Sequence, residues 1–480
     1  MTTLTIVWIA LPLVAGLVLY LLPRVDRVMA LGVTLASVAY GSWLLLHPAP
    51  LTLELLDNFG VSLVADELSG YFILTNGLVT AAVVLYCWGT GKTAFFYAQT
   101  TILHGCVNAV FIGADLISLY VALEVIGIAV FLLVAYPRTD RSIWVALRYL
   151  FVSNTAMLFY LVGAVLVYQT HHSFALIGLR GAPPEALALI FLGLLTKGGI
   201  FVSGLWLPLT HGESETPVSA LLSGVVVKAG VFPLVRCALW IEEIDPIVRI
   251  FGAATALLGV SYAVFAKDTK RMLAFHTVSQ LGFVLAAPAV AGFYALTHGL
   301  VKSALFLIAG VLPTRSFKDL AQQPVATPIW IVLVMASFSI SGFPLLSGFG
   351  AKVLTLKNLV PWQIVAMNLA ALGTAISFAK FIFLPHASAK KVTGTAGKPG
   401  FWLAMVVLLG GLVAANGVYF EAYSLPNMSK GLAIIALGWL AYLLIFRRIT
   451  LKLPQVLEQF EHLIGGMGLM VMVLFWMVLA

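Results

Sequence analysis

Runs of about 20 mostly apolar residues recur along almost the whole chain, parted by short polar breaks. Each run is long enough to carry a helix through the hydrocarbon core of a bilayer. Measured this way, the chain predicts sixteen spans, centred near 4–22, 28–46, 69–90, 94–112, 115–136, 143–169, 184–206, 217–240, 247–266, 271–290, 292–312, 327–355, 361–385, 400–420, 429–446 and 463–480. The first has no basic residue ahead of it and no small-residue cleavage site behind it, which predicts a retained helix and not a signal peptide. The 327–355 span is too long for one straight helix and contains Ser341-Gly342-Phe343-Pro344, which predicts a kinked or broken helix. Between the last two spans, residues 450–462 carry apolar positions at helical spacing. They predict a short helix lying along the inner interface, with a polar linker as the alternative.

Composition narrows the class. The 480 residues are 61% apolar and only 10% charged, against about 25% charged in soluble domains. That excludes a soluble globular domain, a disordered chain and a nucleic-acid binder, despite the net charge of +8. The three cysteines (Cys87, Cys106 and Cys237) all lie in apolar runs, too scattered for a disulfide framework or a thiolate metal site. Of 27 Lys and Arg, sixteen fall in alternate loops, four in the intervening loops and seven within spans. The positive-inside rule then puts the basic loops in the cytoplasm and both termini outside, with the 47–67 loop external. Glu213 and Glu215 fall in a loop expected to be solvated.

The candidate chemistry lies in charges that should not be in a membrane. Glu124, in Leu119-Tyr-Val-Ala-Leu-Glu-Val-Ile-Gly127, is the only acid at mid-membrane, where a charge costs about 2.5–3.5 kcal/mol on insertion scales. A protonated, hydrogen-bonded glutamate is the structural alternative. Four lysines share that depth: Lys197 in Gly193-Leu-Leu-Thr-Lys-Gly-Gly-Ile200, Lys228 one turn before Pro233, Lys302 at i+4 from His298, and Lys352 after Phe343-Pro-Leu-Leu-Ser-Gly-Phe-Gly350. Burial makes a lysine release its proton more readily, so a string of them reads as a proton path. Polar breaks are tolerated only against protein or water. Those beside Lys197 and Lys352 therefore predict hydrated half-channels, which His276 and His298 can bridge. For each histidine a structural hydrogen bond is an equal alternative. Lys380, Arg148 and Arg236 lie near span ends, where snorkelling accounts for them.

These residues sit in recognisable surroundings. Trp206-Leu-Pro-Leu-Thr-His-Gly-Glu-Ser-Glu-Thr-Pro-Val-Ser-Ala-Leu-Leu222 with Lys228-Ala-Gly230, then Asp268-Thr-Lys-Arg-Met-Leu-Ala-Phe-His-Thr-Val-Ser-Gln-Leu-Gly282, resembles the antiporter-like membrane subunits of respiratory complex I, its photosynthetic relatives and the Mrp cation/proton antiporters. Segments around 296–306 and 341–352 extend the resemblance over roughly residues 60–385. Glu215 departs from it, standing where the family usually has Pro, and so does Gly212, where Ala is common.

The resemblance implies an all-α polytopic membrane protein with a 14-helix core among about sixteen helices, two inverted five-helix repeats, and broken helices 7 and 12. It divides the chain into N-terminal helices (1–93), a first repeat (94–240), a second repeat (247–385) and C-terminal helices (400–480). It implies Glu124 as the helix-5 glutamate, Lys197 as the helix-7 lysine and counterpart of Lys352 in helix 12, Lys228 as the middle lysine and Lys352 as the exit site. His276, His298, Lys302 and His211 are relay candidates. The implied function is proton translocation with sodium as a candidate second ion, without cofactor or metal, in a multisubunit complex containing a homologous antiporter-like subunit. The implied setting is a bacterial inner membrane, or a thylakoid membrane in a cyanobacterium. The Mrp type is preferred over a complex I-type subunit. Two other classes stay open: a haem enzyme, for which the histidines do not pair suitably, and a non-transporting scaffold.

Overall fold

The computed structural model describes residues 2–47, 49–56, 60–388, 392, 394–448, 454 and 458–479. Fourteen helical segments within them are long and apolar enough to cross a membrane. Two further helices, Thr269–Ala286 and Thr327–Ser341, bring the set to sixteen. Thr269–Ala286 falls short in apolarity for a physical reason: every residue but Arg271 is buried, so Lys270, His276, Ser279 and Gln280 face neighbouring helices instead of lipid.

In chain order, α1 is Thr2–Leu21, α2 Asp26–Leu46, α3 Glu67–Cys87, α4 Ala94–Ile112, α5 Leu116–Val134 and α6 Asp140–His171. Broken α7 comprises Pro184–Gly198 and Leu207–Glu213, joined through Phe201–Trp206. α8 is Thr216–Trp240, α9 Asp245–Phe265, α10 Thr269–Ala286 and α11 Ala291–Ala309. Broken α12 comprises Thr327–Ser341 and Ser347–Lys357. α13 is Gln363–Ile382, α14 Pro399–Asn416, α15 Leu425–Phe446 and α16 Phe460–Leu479.

The two breaks are built alike. Each first half ends on a glycine in the left-handed region, Gly199 at φ 69° and Gly342 at φ 82°, whose N–H closes the last turn. The breaks fall in the fourth helix of each set of five, α4–α8 and α9–α13. α7 meets α8 where Gly198 and Gly230 touch; a Cβ on Gly230 would lie within 2.2 Å of the Gly198 nitrogen. α16 packs over α7 and its Phe201–Trp206 link, while α15 lies against α13.

Several expectations need correction. The 47–67 loop contains an antiparallel hairpin, β1 (Leu51–Leu56) with β2 (Gly60–Ala65). Asp115 pins it, accepting hydrogen bonds from the Ser62 N–H (2.9 Å) and, as N-cap of α5, from the Ser118 N–H (2.7 Å). Arg236, Arg148 and Lys380 do not snorkel. Buried Arg236 pairs with Asp66, the N-cap of α3, at 2.9 Å and donates to Ser69 Oγ. Arg148 is buried and donates to the Glu458 carbonyl. Lys380 donates to the carbonyls of Val264 (2.6 Å) and Ala266 (2.9 Å), capping the C-terminus of α9.

Glu213 and Glu215 are ion-paired and not simply solvated: Glu215 meets Lys92 at 2.6 Å and Glu213 meets Arg141 at 3.4 Å. Of the expected interfacial helix at 450–462, residues 450–453 and 455–457 lie outside the described residues. Glu458 behind them binds Arg271 at 2.6 Å. Burial pushes the Glu458 carboxyl above the usual carboxylate range, and Arg271 pulls it part of the way back.

The named loop contacts sort as the basic alternation does. Lys92–Glu215, Arg141–Glu213, Arg315–Asp268 and Arg271–Glu458 join loops of one set, whereas Arg236–Asp66 and Arg249 to the Asn358 carbonyl join the other.

Candidate functional site

α5, α6 and the first half of α7 hold the first group. Lys197 sits in the last turn before Gly199, where the carbonyl end of a helix favours a cation. Its Nζ lies 3.6 Å from Glu124 Oε1 and donates to the Leu123 carbonyl at 2.8 Å. The lysine side chain is only 3% exposed, the glutamate 24%. Gly127, one turn past Glu124, leaves the space that the ammonium fills: a Cβ there would stand 3.0 Å from Lys197 Nζ, 3.6 Å from Ser153 Oγ and 3.8 Å from Asn154 Oδ1. The sequence reading missed all three positions. Gly127 belonged to an apolar run, and Ser153 and Asn154 reach the site only once α6 packs on α7.

α8 supplies the second group. A π-helical turn at Leu222–Val226 interrupts its regular ladder. The carbonyls there receive Lys228 Nζ, Gly224 at 2.6 Å and Ser223 at 3.3 Å. The same Nζ lies 3.2 Å from His298 Nδ1 on α11. Both side chains are buried. No residue type announces a π-turn, so this cradle was invisible in the sequence.

The third group begins on the far side of His298. Its Nε2 has no hydrogen-bond partner among the described residues. His298 and Lys352 line one small cavity of about 10 Å³, together with Gln280, Tyr294 and Ser339. That is room for one water. Tyr294 donates to Gln280 Oε1 at 2.7 Å along this wall. Lys352 belongs to the second half of α12 and folds back on the break, so that a Cβ on Gly342 would lie 2.8 Å from its Cδ. Its Nζ also lacks a hydrogen-bond partner among the described residues. A larger cavity of about 140 Å³ continues from Lys352 past Ser341 to Lys357 and Lys430.

Lys197 and Lys352 thus both flank breaks, but on opposite sides: Lys197 precedes Gly199 whereas Lys352 follows Gly342. They are not register counterparts, and Ile340, before Gly342, takes the place corresponding to Lys197. Of the relay candidates, only His298 joins the row directly. Lys302 donates to the Leu273 carbonyl and lies over Phe306, on which His211 stacks at 4.5 Å. His276 packs on Phe378. The ring nitrogens of His211 and His276 have no hydrogen-bond partner among the described residues.

A polytopic helical membrane protein with two broken helices and a buried row of lysines led by one glutamate is the class these features define. Residues 113–377 match the family described as NADH:quinone oxidoreductase/Mrp antiporter, transmembrane, and the chain belongs to that family. NAD(P)H-quinone oxidoreductase chain 4-2 of Synechocystis sp. is 30% identical over 419 residues, covering 77% of this chain and 75% of that protein. An Na(+)/H(+) antiporter subunit of Alkalihalophilus pseudofirmus is 28% identical over 61% of this chain and 66% of its own length. Among solved structures, the fold is similar to a chain of an archaeal membrane-bound sulfane sulfur reductase (TM-score 0.76, 20% identity, 91% of this chain and 99% of that one). It is similar also to a chain of the Mrp complex from Dietzia sp. (TM-score 0.73, 20% identity, 97% and 100%). The protein is an antiporter-like, complex I-type membrane subunit.

Proposed function

We propose that this subunit translocates protons within a multisubunit membrane complex, coupled to cation exchange of the Mrp type. The observation that carries the reading is the row itself: Glu124 against Lys197, Lys228 against His298, and a water-sized cavity from His298 to Lys352. In the cycle, Glu124 holds Lys197 in its charged form. When that pair loosens, the uncompensated buried ammonium becomes costly and its proton passes to Lys228. His298 carries it onward, since an imidazole accepts at one nitrogen and donates at the other. A water in the small cavity completes the step to Lys352, and the larger cavity leads out past Lys357 and Lys430.

The two sets α4–α8 and α9–α13 serve as inverted repeats, since an odd number of crossings inverts the second copy. The basic loops face the cytoplasm and both termini face outward. Neighbouring membrane subunits, a homologous antiporter-like one among them, supply the driving event, and this chain acts as the ion-transport subunit without redox chemistry of its own. The match to NAD(P)H-quinone oxidoreductase chain 4-2 is longer than the match to the Na(+)/H(+) antiporter protein, which favours a second reading, a proton-pumping subunit of a complex I-type enzyme.

Vesicles containing the assembled complex test both readings. Proton flux driven by a pH gradient should fall to background in Lys197→Ala and Lys352→Ala while native gels still show the complex. Sodium dependence of the flux selects the Mrp reading, and flux that needs NAD(P)H and quinone selects the other. Unchanged flux in both variants would leave a scaffold.

A further inference from the structure

The outer cavity has an unusual charge inventory. Lys352, 7% exposed, lines it, and so do the exposed Lys430 and Lys357, the latter also donating to Tyr419 Oη at 3.0 Å. Ser341, itself 4% exposed with an unpartnered hydroxyl, and Asn427 add polar groups. Among the described residues no Asp or Glu lines it. Lys197 has Glu124 as its counter-charge, but among the described residues no carboxylate pairs with Lys352. Lys357 and Lys430, with Lys352 whenever it carries its proton, put like charges around one cavity, and an anion held among them offsets their repulsion.

Size and wall chemistry restrict that anion. A volume of about 140 Å³ exceeds the needs of one or two waters and accommodates a tetrahedral oxyanion. The remaining wall is apolar, formed by Phe349, Val353, Leu356 and Ile434. Basic pockets between membrane helices take anionic phospholipid head groups on the cytoplasmic side of membranes, and this cavity offers the same combination of basic groups and apolar flank. We propose that this cavity binds the phosphate group of an anionic phospholipid, which supplies the counter-charge of Lys352. Lys357 and Lys430 recruit the phosphate at the mouth, and Ser341 and Asn427 donate hydrogen bonds to it. The glycerol end of the acyl chains lies along Leu356 and Ile434.

The site stands on the lining of the cavity and not on the direction of proton flow, although its counter-charge role rests on Lys352 as the exit group. Native mass spectrometry of the complex, taken from vesicles of equal phosphatidylglycerol and phosphatidylcholine, reads occupancy without any transport step. One phosphatidylglycerol per copy of this chain should survive delipidation. Lys357→Gln with Lys430→Gln should cut its retention about tenfold, while Lys318→Gln, in an exposed loop of the opposite set, should leave it unchanged. Adding inorganic phosphate separates the sources: resistance of the bound lipid to millimolar phosphate supports the head-group site, and ready displacement of the lipid assigns the cavity to free phosphate, overturning the lipid. Equal retention in the wild-type and double-variant complexes overturns the site altogether. If retention behaves as expected and flux tests fail, the proton-path reading falls and the lipid site remains.

Discussion

Gly127→Ala offers a sharp probe of the first pair, because it adds one methyl group and no charge. The new Cβ would stand 3.0 Å from Lys197 Nζ, closer than an ordinary contact, so the ammonium must retreat. At an effective dielectric constant of about 20, the pair attracts by about 4.6 kcal/mol at the observed 3.6 Å. A retreat of about 1 Å reduces that to about 3.6 kcal/mol, a loss worth roughly fivefold in the population of the paired state. Folding should tolerate the change: overpacking costs about 1–3 kcal/mol, and alanine returns about 1 kcal/mol of helix propensity. The assay is proton uptake into vesicles under an imposed pH gradient, with thermal melting and native gels as controls. Flux should fall severalfold with assembly intact. Gly32→Ala, where a Cβ would meet nothing within 4 Å, should leave flux unchanged. Full flux in an assembled Gly127→Ala complex would refute the idea that the 3.6 Å contact is tuned by this glycine.

Three other outcomes are expected. Gly342→Ala should destabilise by about 1–2 kcal/mol through its left-handed backbone and, by displacing Lys352, abolish flux; Gly91→Ala, equally left-handed but in open space, should cost stability and leave flux unchanged. The raised carboxyl of Glu458 binds a proton more tightly in the folded chain, so its contribution to stability is present at low pH and lost as pH rises through its folded value. Melting curves of wild type should show this slope in the acid range and Glu458→Gln should flatten it. For topology, a membrane-impermeant thiol reagent added outside intact cells should label Glu54→Cys and spare Thr395→Cys; equal labelling would break the span order.

Much of the fold was legible because its determinants are local. Twenty-residue apolar runs mark helices wherever they fall, and Ser341-Gly342-Phe343-Pro344 announces a break by its own backbone chemistry. α10 was read as a span at 271–290 despite its many polar residues, which the packed chain shields with neighbouring helices. What stayed hidden depends on partners distant in sequence. Arg236 looks like a span-end arginine until α3 brings Asp66 beside it, and Lys380 until α9 offers its last carbonyls. The hairpin at 51–65 lay in a segment read only as the external 47–67 loop, although Leu51-Thr-Leu-Glu-Leu alternates. At the site, the charged residues were readable from the cost of burying them, whereas Gly127, the π-turn under Lys228 and the cavity between His298 and Lys352 exist only in the packed chain.

In the proposed cycle the Glu124–Lys197 pair drives proton movement. Removing one partner of a buried pair leaves the other uncompensated, at about 3–5 kcal/mol, so Glu124→Gln should leave Lys197 unable to hold its proton. The direct measurement is proton flux in vesicles bearing the Glu124→Gln complex, with assembly checked on native gels and Glu124→Asp as the charge-preserving comparison. Background flux is expected for Glu124→Gln and partial flux for Glu124→Asp. Wild-type flux in a fully assembled Glu124→Gln complex would contradict the proposed cycle.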